Sequence, residues 1–170
     1  MNDNLIKKYH FLIQKYLKIK THPADKDKLW NTKKFLKKKI NKNVLIENKN
    51  LQEVFLDSKL LICFYPETTF SESMKLGIPT ILYVSPKIYK IHQISKNLYK
   101  KLKDANLLFD DIDLLTKHIN NIWDDPLIWW NSEKSVKKRK LFEKVALGID
   151  KKDSFDKWKN YLFKLKSQND

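Results

Sequence analysis

Arginine is almost missing from this chain: of its 35 basic residues only Arg139 carries a guanidinium, and the rest are lysines. Arginine is the residue that grips bases and phosphates bidentately, so its scarcity weighs against a nucleic-acid reader. A second cysteine is missing too. Cys63 therefore has no intrachain disulfide partner, and its place inside the apolar run LLICFY marks it as a small core residue. No run approaches the roughly 18–20 apolar residues that cross a bilayer. The opening MNDNLIKKYHFLIQKYLKIK lacks the unbroken apolar stretch of a secretory signal, which places the protein in the cytoplasm. Internal repeats and low-complexity linkers are absent, and the lysine runs at 37–39 and 137–140 read as solvated faces. His92 and His118 read as helical residues with no metal-type spacing to each other or to Cys63, so no metal site is assigned.

What is present is a chain of 170 residues, 42% hydrophobic and 12% aromatic, with a net charge of +15. That length suits one domain with a core of its own, and the apolar content excludes a disordered chain. A charge of +15 would ordinarily point to nucleic acid or an anionic membrane surface. Usage rich in lysine, isoleucine and asparagine reads instead as compositional bias, and nucleic acid is not an expected partner.

Periodicity yields an alternating pattern. Leu5, Tyr9, Leu12 and Tyr16 predict a helix over 4–16, followed by a strand at about 17–21, a lysine-rich helix at about 28–40 and a strand over 44–46. A short helix over LQEVFLDS, a strand over LLICFY, a helix from Thr69 to about Leu76, a stop at Gly77 and a strand over PTILYV come next. The two apolar runs carry no polar alternation, as strands buried on both faces of a parallel sheet do. The fold class is thus α/β: a Rossmann-like three-layer parallel sheet with helices on both faces. Ser85-Pro86 predicts a helix start, with Ile91, Ile94, Leu98 and Leu102 along one face. A brief strand over 107–109 follows, then a helix from Asp111 with Ile112, Leu115, Ile119 and Ile122 inward. Extra helices fill the C-terminal segment 127–170, the last marked by Phe155, Trp158, Leu162 and Leu165.

The most informative segment is LLICFYPETTFSESMKLGIPTILYV: a buried strand, a turn rich in hydroxyls, a helix, and a second buried strand. Such α/β crevices bind ligands, because strand C-termini meet helix N-termini there. Free N–H groups and the helix dipole at Thr68 to Phe70 favour a diphosphate, with the Thr68 and Thr69 hydroxyls as further donors and Glu72 accepting from a ribose or sugar hydroxyl. The same residues, Thr69-Phe70-Ser71-Glu72, also spell a capping box, worth on the order of 1 kcal/mol with no ligand at all. Both readings can hold together. Trp123, Trp129 and Trp130 read as anchors of the terminal helices rather than as a stacking platform. Asp124 and Asp125 read as turn residues before Pro126.

The block LLICFYPETTFSESMKLGIPTILY, followed by INNIWDDPLIWWNSEKSVKKRKLFEKVA and Trp158, resembles a bacterial family of transferases associated with surface-polysaccharide synthesis, whose members look like GT-B glycosyltransferases. The likeness runs from about His22 to Trp158. It implies the C-terminal, nucleotide-sugar-binding half of a GT-B transferase. Thr68, Thr69, Ser71 and Glu72 then fall on the donor-side loop, and His22 at a strand end near the donor phosphates. Direct displacement would require no cofactor beyond the nucleotide-sugar substrate. The resemblance also implies departures. The acceptor-binding half is expected to be missing from this chain, so a truncated product, a split enzyme completed by a partner chain or by self-association, and a non-catalytic binding subunit all stay open. VALGIDKKDSFDKW replaces a more polar, arginine-containing stretch of the relatives.

Overall fold

The computed structural model describes residues 16–21, 34, 36, 38, 45–46 and 49–146. Every strand pairing among them is parallel. β1 (Lys18–Ile19) pairs with β2 (Leu45–Ile46), and β3 (Leu61–Cys63), β4 (Thr80–Tyr83) and β5 (Leu108–Phe109) form a second sheet in the order β3-β4-β5. Six helices alternate with these strands: α1 (Leu51–Leu56), α2 (Thr68–Lys75), α3 (Lys96–Asp104), α4 (Ile112–Ile122), α5 (Pro126–Trp130) and α6 (Glu133–Ala146). The α/β reading with a parallel sheet is therefore correct. Tyr16 is helical, in line with the helix expected over 4–16, and so are Lys34, Leu36 and Lys38 within the lysine-rich segment; Leu36 is buried. The helix expected around Phe155 to Leu165 lies outside the described residues, as does His22.

Burial explains why these runs fold as strands. All four residues of β4 are buried, and alternate side chains of a strand point to opposite faces. Leu82 and Val84 join a cluster with Phe70 and Met74 of α2, Leu102 of α3, Trp130 of α5 and Phe142 of α6. Ile81 and Tyr83 join a second cluster with Phe109 of β5 and with Leu115 and Ile119 of α4. Each such side chain contributes about 1.5–3 kcal/mol on burial, so β4 is the spine of the domain.

One expected helix starts late. Ser85-Pro86 opens a turn, in which the N–H groups of Ile88 and Tyr89 both donate to the Ser85 carbonyl, at 3.1 and 3.0 Å. A 3₁₀ turn over Gln93–Ser95 follows, its N-terminus capped by the His92 ring, and only then does α3 begin at Lys96. His92 is thus a cap rather than a helical residue. The cause is tertiary: Ile88 and Ile94 are 70% and 85% exposed, so the expected apolar face meets no core until Leu98 and Leu102. Helices of this length are held by packing, and without it propensity is too weak.

Candidate functional site

At the C-terminal end of β3 the chain turns through Phe64–Glu67 and enters α2. Phe70 and Met74, each 1% exposed, fasten α2 to the sheet, and the Phe70 ring meets the edge of Phe142 at 5.2 Å. Ser73 is fully buried and returns its hydroxyl to the Phe70 carbonyl at 2.9 Å, so it costs no unpaired polar group. That inward set, 70-73-74, leaves Thr68, Ser71 and Glu72 on the outer face, where three- and four-residue spacings make them neighbours. Thr68 and Glu72 are exposed, and Thr69 and Ser71 are half-buried. α2 ends at Gly77, whose φ of 76° is the left-handed conformation that stops a helix.

The capping box expected over Thr69–Glu72 does not form. The helix begins one residue earlier than expected, with Glu67 as its N-cap and no side-chain cap hydrogen bond. Thr69 consequently sits inside the first turn, where its hydroxyl is not placed to cap. The Glu67 carbonyl accepts from Phe70 and Ser71, at 3.1 and 3.3 Å. Among the described residues, neither the backbone N–H groups nor the hydroxyls of Thr68 and Thr69 have a hydrogen-bond partner. These are the orphan donors that a helix N-terminus presents to an anion.

Two aromatic residues and one acid that sequence reasoning missed frame this edge. Tyr65 is half-buried, and its phenol is pushed above the ordinary value by burial, then by the Glu67 carboxylate and by Tyr89 across the gap. Tyr89, from the turn after β4, is 37% exposed. Glu67 is exposed and places a negative charge where α2 begins. Pro66 before the acid was the one local signal of the true cap position, since proline ahead of a helix fixes an extended entry.

The remaining singled-out residues have structural work. Cys63 is buried, and burial pushes its thiol up to about 12, so no thiolate is available for chemistry. The Trp130 indole donates to the Gly77 carbonyl at 2.9 Å and that of Trp129 to the Ala105 carbonyl at 3.1 Å, which bears out the anchoring role. Trp123 is half-buried against Tyr16, with the Lys59 ammonium 5.3 Å from its ring centre. Arg139 lies 3.9 Å from the Trp130 ring centre and donates to the Trp130 carbonyl at 3.0 Å, so the lone guanidinium ties α6 to α5. Asp125 caps α5 through the Leu127 N–H, as a turn residue should, and Asp111 caps α4 through the N–H groups of Asp113 and Leu114. Asp110 pairs with Lys103 at 2.5 Å. The carboxylates of Asp110, Asp111 and Asp125 are thereby engaged. Among the described residues no group of three or more His, Cys, Asp or Glu is arranged to hold a metal. None of the described helices is long and apolar enough to cross a membrane.

The arrangement is thus a rigid helix end with free donors, at the C-terminal edge of a buried parallel strand, flanked by two tyrosines. No curated protein and no solved structure matches this chain. A family model does match, over residues 5–162, and nearly the whole chain is covered. The chain belongs to the LIC12162 family of transferases.

Proposed function

We propose that this transferase uses the α2 edge to bind a nucleotide-sugar donor, as the donor half of a GT-B-like glycosyltransferase of surface-polysaccharide synthesis. The observation that carries the reading is the uncapped N-terminus of α2, with the Thr68 and Thr69 donors unpartnered among the described residues, directly after a buried parallel strand. The donor's diphosphate takes the place of the missing cap. Glu72, one turn along and on the same face as Thr68, accepts from a ribose hydroxyl, and Ser71 lies between them. His22 belongs to the same reading as a phosphate contact.

In the transfer the acceptor oxygen forms a bond to the anomeric carbon while the bond from that carbon to the diphosphate oxygen breaks. The electron pair leaves with the nucleoside diphosphate. The charge growing on that oxygen is what a helix N-terminus and two hydroxyls stabilise, and no resident metal is needed for it. The acceptor's proton goes to a base on a second Rossmann-like unit across the crevice.

Calorimetric titration and thermal-shift measurements with UDP, CDP, GDP and CMP nucleotides and their sugars test this. One nucleotide class is expected to bind, and at a hundredfold excess over its Kd to stabilise the fold by about 2.7 kcal/mol, several degrees of Tm for a chain of this size. The Thr68→Ala/Thr69→Ala/Glu72→Ala variant is expected to fold and lose that shift. A folded wild-type chain that binds none of them overturns the reading.

A further inference from the structure

We propose that the segment Ser85–Lys96 is a docking element that seats this protein on a bilayer carrying anionic headgroups. Between Glu72 and Asp104 the chain has no acidic residue, while the same thirty-one positions, 73–103, carry seven lysines. In a chain with 20 acidic residues that gap is a concentrated cationic surface rather than a share of the overall charge. Lys87, Lys90 and Lys96 within it are exposed, and none forms an ion pair among the described residues.

Between those lysines stand Ile88 and Ile94, 70% and 85% exposed, with Tyr89 beside Ile88. Isoleucines surrounded by lysines fit an interface in which apolar side chains enter the headgroup layer while ammonium groups meet lipid phosphates and carboxylates. The backbone is prepared for that layer. The N–H groups of Ile88 and Tyr89 are held by the Ser85 carbonyl and that of Ile94 by the His92 ring nitrogen at 3.4 Å, so dehydrating this stretch exposes fewer unpaired donors. Nucleic acid is the poorer match: its phosphates would leave both isoleucines in water, and the one arginine is committed to Trp130. The segment follows β4 at the same sheet edge as the N-terminus of α2, so docking turns that edge toward the membrane plane. That orientation matters only if the donor reading is right, whereas the docking itself does not depend on it.

Co-sedimentation of the full chain with phosphatidylglycerol-containing vesicles, with phosphatidylcholine vesicles, and a titration with duplex oligonucleotide decide the matter. Binding is expected only to the anionic vesicles and to weaken with salt. Each lysine near an anionic surface is worth roughly fivefold in partitioning, so Lys87→Gln/Lys90→Gln/Lys96→Gln should lose on the order of a hundredfold. Ile88→Ser/Ile94→Ser, which keeps the charge, should lose about tenfold or more. Both variants alter exposed side chains and are expected to keep the wild-type Tm. Equal sedimentation with neutral vesicles, unchanged sedimentation of the isoleucine variant, or tight oligonucleotide binding without vesicle binding would each overturn the proposal. Nucleotide stabilisation measured on Ile88→Ser/Ile94→Ser reports on the donor reading separately.

Discussion

Glu67 is the residue on which the electrostatics of the α2 edge turn. Its carboxylate suits the helix dipole when nothing is bound, and it opposes a diphosphate that arrives at the same N–H groups. Glu67→Gln is therefore expected to tighten nucleotide binding by roughly two- to fivefold while lowering Tm slightly, both readable in one thermal-shift titration. Weaker binding would instead make Glu67 an acceptor for a donor hydroxyl. His118 is a second residue with a sharp consequence. Its ring lies between Phe109 and Trp129, at 5.3 and 5.0 Å, and its Nε2 is buried without a partner. Burial pulls its pKa down to about 4. The unfolded chain, with a histidine near 6.5, takes up the proton first, so this contribution to stability is complete above pH 6.5 and is lost as pH falls toward 4. For a half-buried ring the loss is on the order of 1–2 kcal/mol. His118→Phe should keep the aromatic stack and flatten Tm against pH across that window. An unchanged pH profile would assign the dependence to other groups.

At the scale of elements, the caps and the tryptophan tethers decide where helices begin and what they rest on. Asp111→Ala removes the acceptor for two N–H groups at the start of α4 and should cost about 0.5–2 kcal/mol by urea unfolding. Trp130→Ala removes a ring buried to 1% and the bond to the Gly77 carbonyl, and should cost about 3–5 kcal/mol. If the two costs came out equal, the role of Trp130 as the tie between α5 and the turn after α2 would be wrong. The alternation of these elements was legible in the sequence because buried parallel strands are short, apolar and uninterrupted: LLICFY and PTILYV could hardly be anything else. The start of α3 was not legible. Ile88, Ile91 and Ile94 have the spacing of a buried face, and only the sheet's position shows that nothing lies opposite them.

For the whole molecule, the parallel sheet turns a lone thiol into a core atom. Cys63 ends β3 under the α2 helix, so a thiol reagent is expected to label the native chain slowly and the urea-unfolded chain at once. Rapid native labelling would mean that the strand end opens locally.

From the sequence alone came the α/β class, the parallel character of the sheet, the stop at Gly77, the anchoring tryptophans and the segment that holds the candidate site. All of these follow from local burial pattern and residue chemistry, which neighbours in sequence encode. Only the tertiary structure decided which helix ends are satisfied. TTFSES carries the letters of a capping box, yet burying Phe70, Ser73 and Met74 together sets the helical phase so that Glu67 becomes the cap and the donors of Thr68 and Thr69 stay free. Likewise, +15 can be counted in the sequence, but the lysines and isoleucines of Ser85–Lys96 become one surface only because the core ends at β4 and resumes at Leu98.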